Sequence, residues 1–271
     1  MSKKSLLIFI LSSFVVMSSF MTSETTEVRD DFKTYYDKNS VTGSFVLFNS
    51  KEAKWIVYNP DQMNKEFTPA STFKIFNSLV GVEAGVIRDE HFVIPWDSVV
   101  RKNPNWNKNH DLQSAFQNSV VWYYQELARN VGGKRMKFTL DNCEYGNRDT
   151  SGGIDKFWLT GGLRITPKQQ IEFLRNLHDN ALPFSQRTMY VVKNIMVVND
   201  SVGFVMRAKT GWGVQNNQDI GWYVGYIETS DNVYYFANCI QSSSPDNHKF
   251  AAARIEIVYS ILHDLKIIQQ Q

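Results

Sequence analysis

Cysteine is scarce in this chain: Cys143 and Cys239 are the only two in 271 residues. At most one disulfide can form. An exported chain could oxidise the pair only if the fold brings them together, and two buried free thiols is the reading the sequence favours. The five histidines fall into no H-x-H or H-E-x-x-H spacing. No metal site is expected, because zinc-binding motifs depend on such spacings. Long runs of lysine or arginine are also missing, which argues against nucleic acid or an anionic membrane surface as a partner. Internal repeats, low-complexity segments and Pro/Gly-rich linkers are absent too. Residues 24–271 are therefore expected to form one domain.

The apolar stretch from Leu6 to Val16 falls short of the ~20 residues that span a bilayer. Lys3 and Lys4 precede it, and small and polar residues from Ser18 to Ser23 follow. That order predicts a signal peptide over residues 1–23, cut between Ser18 and Glu24, and hence an exported protein. No cysteine lies there to take a lipid, so no stable membrane association is expected after cleavage. Loss of Lys3 and Lys4 from the 29 basic residues leaves 27, equal to the 27 acidic ones. The mature chain is neutral.

What is present is a large apolar fraction, 43%, enough for a sizeable core. Gly43 to Asn49 and Lys54 to Tyr58 are rich in β-branched and aromatic residues and flank Ser50-Lys51-Glu52-Ala53, predicting a hairpin. Met206 to Lys209, Gly221 to Glu228 and Val233 to Ile240 predict consecutive antiparallel strands, the last two joined by a polar turn at Thr229 to Asn232. Between these clusters the spacing becomes helical: Ser71 to Ala84, Ser119 to Asn130, and Pro167 to His178 behind the N-cap candidate Thr166. A last amphipathic helix is expected from Lys249 to Leu265. The fold class is therefore α+β, an antiparallel sheet of N- and C-terminal strands flanked by terminal helices, with a mostly helical insertion.

Within P-A-S-T-F-K, residues 69 to 74, Pro69 biases Ala70 away from helix, so a helix starting near Ser71 carries Ser71 and Lys74 on one face. Serine is a weak nucleophile that needs a base, and an ordinary lysine is protonated. Burial resolves the difficulty, since desolvation disfavours the charged amine. The backbone N–H of Ser71, in a first helical turn, is open to a developing oxyanion. Two further elements follow in order: Ser119-Val120-Val121 at the head of a helix, and Lys209-Thr210-Gly211 ending a strand. That series is found in serine β-lactamases and penicillin-binding proteins, with S-D-N in the middle where this chain has S-x-V.

The chain resembles the class D β-lactamases, or oxacillinases, from about Gly43 to the C-terminus. The resemblance rests on P-A-S-T-F-K at 69–74, S-V-V at 119–121, Y-G-N at 145–147, F-W-L at 157–159, K-T-G-W at 209–212 and G-W-Y-V-G at 221–225. The poorest match lies at Ile94 to Asp111 and Gln241 to His248. The resemblance implies the serine β-lactamase and penicillin-binding transpeptidase fold, small-molecule β-lactam substrates and a location in the bacterial periplasm. It implies no cofactor beyond carbon dioxide or bicarbonate, which converts the equivalent of Lys74 into a carbamate (N6-carboxylysine). Val121 then supplies an apolar wall, and Trp158 donates its indole N–H to the carbamate. Ser71 attacks the lactam carbonyl, the backbone N–H groups of Ser71 and Trp212 hold the oxyanion, and Ser119 relays a proton to the leaving nitrogen. Lys209 and Thr210 supply charge and a hydroxyl, and Arg254 completes a clamp on the substrate carboxylate. Gly211, Trp212 and Leu159 border the substrate, the last two limiting access, while Tyr145 to Asn147 shape the cleft wall. Trp96, Trp106 and Trp122 receive no role, and no residue pattern assigns an oligomeric state.

Two alternatives share the nucleophile. A penicillin-binding D,D-peptidase usually carries S-x-N, against which Val121 speaks. A β-lactam sensor domain acylates on the same serine and stays acylated, but follows several membrane-spanning segments.

Overall fold

The computed structural model describes residues 23–243 and 247–269. The leader expected over residues 1–23 therefore lies outside the described residues, except for its last position. In chain order the elements are β1 (Thr25–Val28), α1 (Lys33–Lys38), β2 (Thr42–Asn49), β3 (Lys54–Tyr58), α2 (Lys74–Glu83), α3 (Leu112–Gln117), α4 (Val121–Val131), α5 (Gly133–Asn142), α6 (Pro167–His178), α7 (Gln186–Ile195), β4 (Val197–Ser201), β5 (Phe204–Gln215), β6 (Gln218–Thr229), β7 (Val233–Ser242) and α8 (Asn247–Asp264). The strands form one sheet in the order β1-β3-β2-β7-β6-β5-β4. The N-terminal hairpin β2–β3 thus joins the C-terminal meander β5–β6–β7 through β2 and β7, whose registers run from Thr42 opposite Gln241 to Asn49 opposite Tyr234. The α+β architecture agrees with the sequence reading.

Both faces of the sheet are buried, and the period of two in its strands shows how. Along β2, Val46 and Phe48 enter the core shared with the helical insertion, whereas Phe45 and Leu47 enter a second core under α1 and α8. On β6 and β7 the division repeats: Trp222 and Ala237 face the insertion, Tyr223 and Phe236 the terminal helices. Helix α6 begins as its sequence suggests, with Thr166 and Gln169 in a reciprocal capping box and Pro167 in the first turn.

The structure corrects several expectations. The sheet is not wholly antiparallel, because the unexpected β1 pairs parallel with β3. Four residues of mostly polar character carry no strand pattern; β1 is held by pairing and by Glu24, which accepts from the Trp55 indole at 2.8 Å and from Arg175 at 3.1 Å. Strand β5 continues through Lys209-Thr210-Gly211 to Gln215, pairing with β6 throughout, so K-T-G lies inside the strand. The helix expected from Ser71 is a 3-10 turn over Ala70–Phe73, and the α-helix begins only at Lys74. Ala70 is in the left-handed region at φ 48°, and its N–H donates to the Trp158 carbonyl at 3.0 Å. Tertiary contact overrides helix propensity here. Ser119 likewise precedes α4 rather than opening it, at φ 53° in the corner after α3. Cys143 is half-buried and Cys239 buried, and both are free thiols.

One chain of hydrogen bonds links α1, β7 and α8. The Tyr36 hydroxyl donates to Asn238 Oδ1 at 2.7 Å, and Asn238 Nδ2 donates to the Arg254 carbonyl at 2.9 Å. Tyr36→Phe leaves the Asn238 oxygen buried and unpaired. We expect a loss of about 1–3 kcal/mol of stability, read as a lowered Tm in thermal melts; an unchanged Tm would deny this chain of bonds its structural role.

Candidate active site

The 3-10 turn at Ala70–Phe73 packs against β5, whose buried residues Met206 and Ala208 belong to the core under α8. Close approach demands a residue without a side chain at Gly211. A Cβ there would lie 3.0 Å from the Pro69 carbonyl oxygen, 3.1 Å from Thr72 Cγ2 and 3.2 Å from Trp222 Cβ. The glycine of K-T-G is thus explained by packing: it lets the strand backbone reach the serine turn.

Ser71 stands half-exposed at this junction, and its Oγ accepts a hydrogen bond from Lys74 Nζ at 2.8 Å. Lys74 is 0% exposed. Desolvation, with the nearby Lys209 charge adding to it, holds its amine well below the ordinary lysine range. The surroundings are aromatic: the Tyr124 ring lies 5.2 Å from Nζ, and Phe73, one residue before, stacks on Trp158 at 5.2 Å between centroids. Trp158 is also fully buried, and its indole Nε1 has no hydrogen-bond partner among the described residues. A buried donor left without an acceptor is costly and calls for one.

Trp158 is presented by the loop before α6, which is tied to the serine turn through the Ala70 N–H. Tyr145-Gly146-Asn147 closes the base of that loop. Asn147 donates from Nδ2 to the Gly162 carbonyl at 2.9 Å, accepts at Oδ1 from the Arg164 N–H at 2.9 Å, and donates its own N–H to the Arg164 carbonyl at 2.9 Å. Gly146, at φ 54°, passes so near that a Cβ would stand 2.1 Å from the Arg164 oxygen. The Y-G-N segment therefore does not line the cleft as expected; it fixes the loop that carries Trp158.

On β5, Lys209 is 5% exposed, and its Nζ donates to the Thr210 carbonyl at 3.1 Å and hydroxyl at 3.3 Å. Desolvation first and the Arg254 charge second push its amine down to about 7. Arg254, from α8, donates to the Gly211 carbonyl at 2.8 Å and stands 5.6 Å from the centre of the Trp212 ring; burial lowers its guanidinium to about 10. Trp212 itself is pinned by an indole hydrogen bond to Asp219 and by Phe250.

These residues open on a cleft of ≈ 400 Å³ lined by Ser71, Ser119, Val121, Thr210, Gly211, Trp212 and Arg254 together with Asn103, Trp106 and Asn118. Lys74, Trp158 and Lys209 lie behind that surface, while Leu159 is half-buried and packed against the larger core. Sequence reasoning missed Asn103, Trp106 and Asn118. Trp106 is held by its indole N–H on the Asn118 carbonyl at 3.0 Å, and it receives the Trp122 indole N–H at 2.8 Å on its own carbonyl. No local pattern announces such a loop; tryptophan among asparagines was the only cue.

Comparison with known proteins adds a second line. The family model described as the penicillin-binding protein transpeptidase domain matches residues 29–263. The β-lactamase OXA-48 of Klebsiella pneumoniae is 37% identical over 261 residues, covering 96% of this chain and 97% of that protein. A class D β-lactamase structure from Sebaldella termitidis superposes with a TM-score of 0.88 at 34% identity, covering 92% of this chain and 100% of that one. The C-terminal domain of the Bacillus licheniformis BlaR penicillin receptor reaches 0.86 at 35% identity over the same shares.

The depressed amines carry a pH prediction. Lys74 and Lys209 are both held below the ordinary lysine range, so above about pH 7 the unfolded chain binds more protons than the folded one. Stability should therefore rise with pH up to about pH 9, where tyrosines begin to ionise in the unfolded chain, by as much as roughly 1.4 kcal/mol per pH unit for each amine. Urea melts of the purified protein in carbon dioxide-free buffer across this window test it. Lys209→Met should flatten the slope by one group's share, and a slope unchanged by that substitution would place the lysine's proton on the folded protein.

Proposed function

The chain belongs to the penicillin-binding protein transpeptidase family and groups within it with the class D β-lactamases, hydrolases of the β-lactam amide bond, and we propose that it works through a Ser71 acyl-enzyme with carboxylated Lys74 as the base. The observation that carries this reading is the fully buried Lys74 amine, 2.8 Å from Ser71 Oγ; Trp158, stacked on the preceding residue Phe73, has a buried indole N–H that lacks an acceptor among the described residues.

The residues present fit a carbamate. Reaction with carbon dioxide needs a neutral amine, which desolvation favours, and the product brings oxygens into a pocket where Trp158 Nε1 has none to bond. When formed, the carbamate supplies a carboxylate-like general base next to the serine hydroxyl and to the water of deacylation. The apolar side chains of Phe73 and of Val121, on the cleft wall, favour the neutral amine that the reaction with carbon dioxide requires.

The chain's own residues do the rest. Ser71 Oγ, held by Lys74, attacks the lactam carbonyl and forms the ester; the lactam nitrogen leaves and takes a proton through Ser119, on the opposite wall of the cleft. The N–H groups of Ser71 and Trp212 stabilise the oxyanion, brought within reach by the Gly211 approach. Lys209 lends positive charge behind Thr210, and the Arg254 guanidinium, already half desolvated, meets the substrate carboxylate with the Thr210 hydroxyl. Export to the periplasm is part of the proposal and rests on the N-terminal pattern. No helix among the described residues is long and apolar enough to cross a membrane.

The likeness to the BlaR receptor domain keeps a sensor as the second reading, and deacylation separates the two. Purified mature protein should turn over a chromogenic cephalosporin many times, faster with added bicarbonate than after carbon dioxide removal. Lys74→Ala should lose at least about 10³-fold in turnover, the scale typical of a removed base. Stoichiometric labelling of Ser71 without turnover in either buffer would instead establish the sensor or a D,D-peptidase. Near-normal turnover by Lys74→Ala would overturn the mechanism.

A further inference from the structure

Thr72 follows the proposed nucleophile, yet its side chain points away from the cleft and is 1% exposed. Its hydroxyl donates to the Pro69 carbonyl at 2.8 Å, in parallel with its own N–H, which donates to the same oxygen at 3.1 Å. The same hydroxyl accepts from Gln170 Nε2 at 2.8 Å, a residue of α6 that is also 1% exposed. The Tyr145 hydroxyl, buried and without a bond of good geometry, faces Thr72 from the Y-G-N segment. On its other side, Thr72 Cγ2 abuts the backbone at Gly211.

Thr72 thus sits where four elements converge: the serine turn, α6, the Y-G-N segment and β5. The arrangement is hard to explain by stability alone. Gln170 is buried in apolar surroundings with its Oε1 unpaired, a penalty that leucine at the same place would avoid. What the glutamine contributes is a directional bond across 98 residues of sequence to the residue after Ser71.

We infer that Thr72 and Gln170 are positioning residues, whose mutual hydrogen bond sets the serine turn in register with β5 so that Ser71 and the Trp212 N–H address one carbonyl. The inference rests on the proposed role of Ser71. It is geometric: the Pro69 carbonyl, held twice by Thr72, is also the nearest atom to Gly211 across the junction. Freeing that carbonyl lets the turn slide against the strand, and misplacement of reacting groups by an ångström costs rate far more than it costs binding.

The test is the acylation rate constant, measured by stopped-flow with a chromogenic cephalosporin or by time-resolved labelling of Ser71 with a fluorescent penicillin. Thr72→Val keeps the shape and removes the hydroxyl; Gln170→Leu removes the donor from the other side. Each should slow acylation about ten- to hundredfold with substrate affinity little changed, whereas Thr72→Ser, which keeps the hydroxyl, should stay within about threefold of the parent. The double variant Thr72→Val, Gln170→Leu should be no slower than Thr72→Val alone, since Thr72→Val already removes the bond that Gln170→Leu deletes. Gln170→Leu also serves if Thr72→Val fails to fold. Variants that melt lower but acylate at the parent rate overturn the inference, as does a Thr72→Ser variant as slow as Thr72→Val. Failure of the parent protein to label at all would instead remove the proposed role of Ser71.

Discussion

An amine buried without a carboxylate is the constraint around which this molecule is arranged. Lys74 lies at the first residue of α2 with its charge repelled by Lys209, and no salt bridge relieves it among the described residues. Such a group is tolerable only as a neutral amine or with an anion brought to it, because the desolvation of an unpaired ammonium is too costly. The aromatic shell of Phe73, Tyr124 and Trp158 keeps water out, and the same shell leaves the Trp158 indole without an acceptor. The unusual amine and the unusual indole are linked through Phe73, which precedes Lys74 and stacks on Trp158.

Holding that arrangement requires backbone that is itself strained. Ala70 and Ser119, on either side of the cleft, both adopt left-handed conformations that cost non-glycine residues on the order of 1–3 kcal/mol. Each is imposed from outside its own element: Ala70 by the Trp158 carbonyl, Ser119 by the corner between α3 and α4, where its N–H and that of Val120 donate back to Phe116 and Ala115. The sheet pays for neither locally. Its two buried faces and twelve-residue paired strands β5 and β6 provide a rigid wall against which the turn can be pressed.

Much of this was legible in the sequence, for identifiable reasons. The meander and the N-terminal hairpin follow from segments rich in β-branched and aromatic residues, and α6 from helical spacing behind the N-cap candidate Thr166. The resemblance to class D β-lactamases drew together Ser71, Ser119, Lys209 and Arg254, which lie up to 183 residues apart and share no local pattern. What escaped was nonlocal. The parallel strand β1 exists because Glu24 and β3 hold it; the 3-10 turn exists because a tryptophan carbonyl 88 residues away claims the Ala70 N–H. Trp106 entered the cleft from a loop whose course is written in side-chain hydrogen bonds to Asn118 and from Trp122.

Charge supplies the last step. Arg254, Lys209 and Lys74 form a series of basic groups in which the Arg254 charge lowers the proton affinity of Lys209 and the Lys209 charge lowers that of Lys74, and the residues lining the cleft include no carboxylate. A protein optimised for stability alone would place an aspartate or glutamate there, since pairing buried cations is the ordinary remedy. Asp219, an acid that reaches the cleft residue Trp212, is occupied by that residue's indole. Under the proposed mechanism these groups would meet anions at two depths, a carbamate on Lys74 and a substrate carboxylate near Arg254 and Thr210, and an oxyanion above Ser71 would develop between them in a field set before substrate arrives. The cost of burying these basic groups without a carboxylate and the proposed capacity for catalysis have the same physical origin.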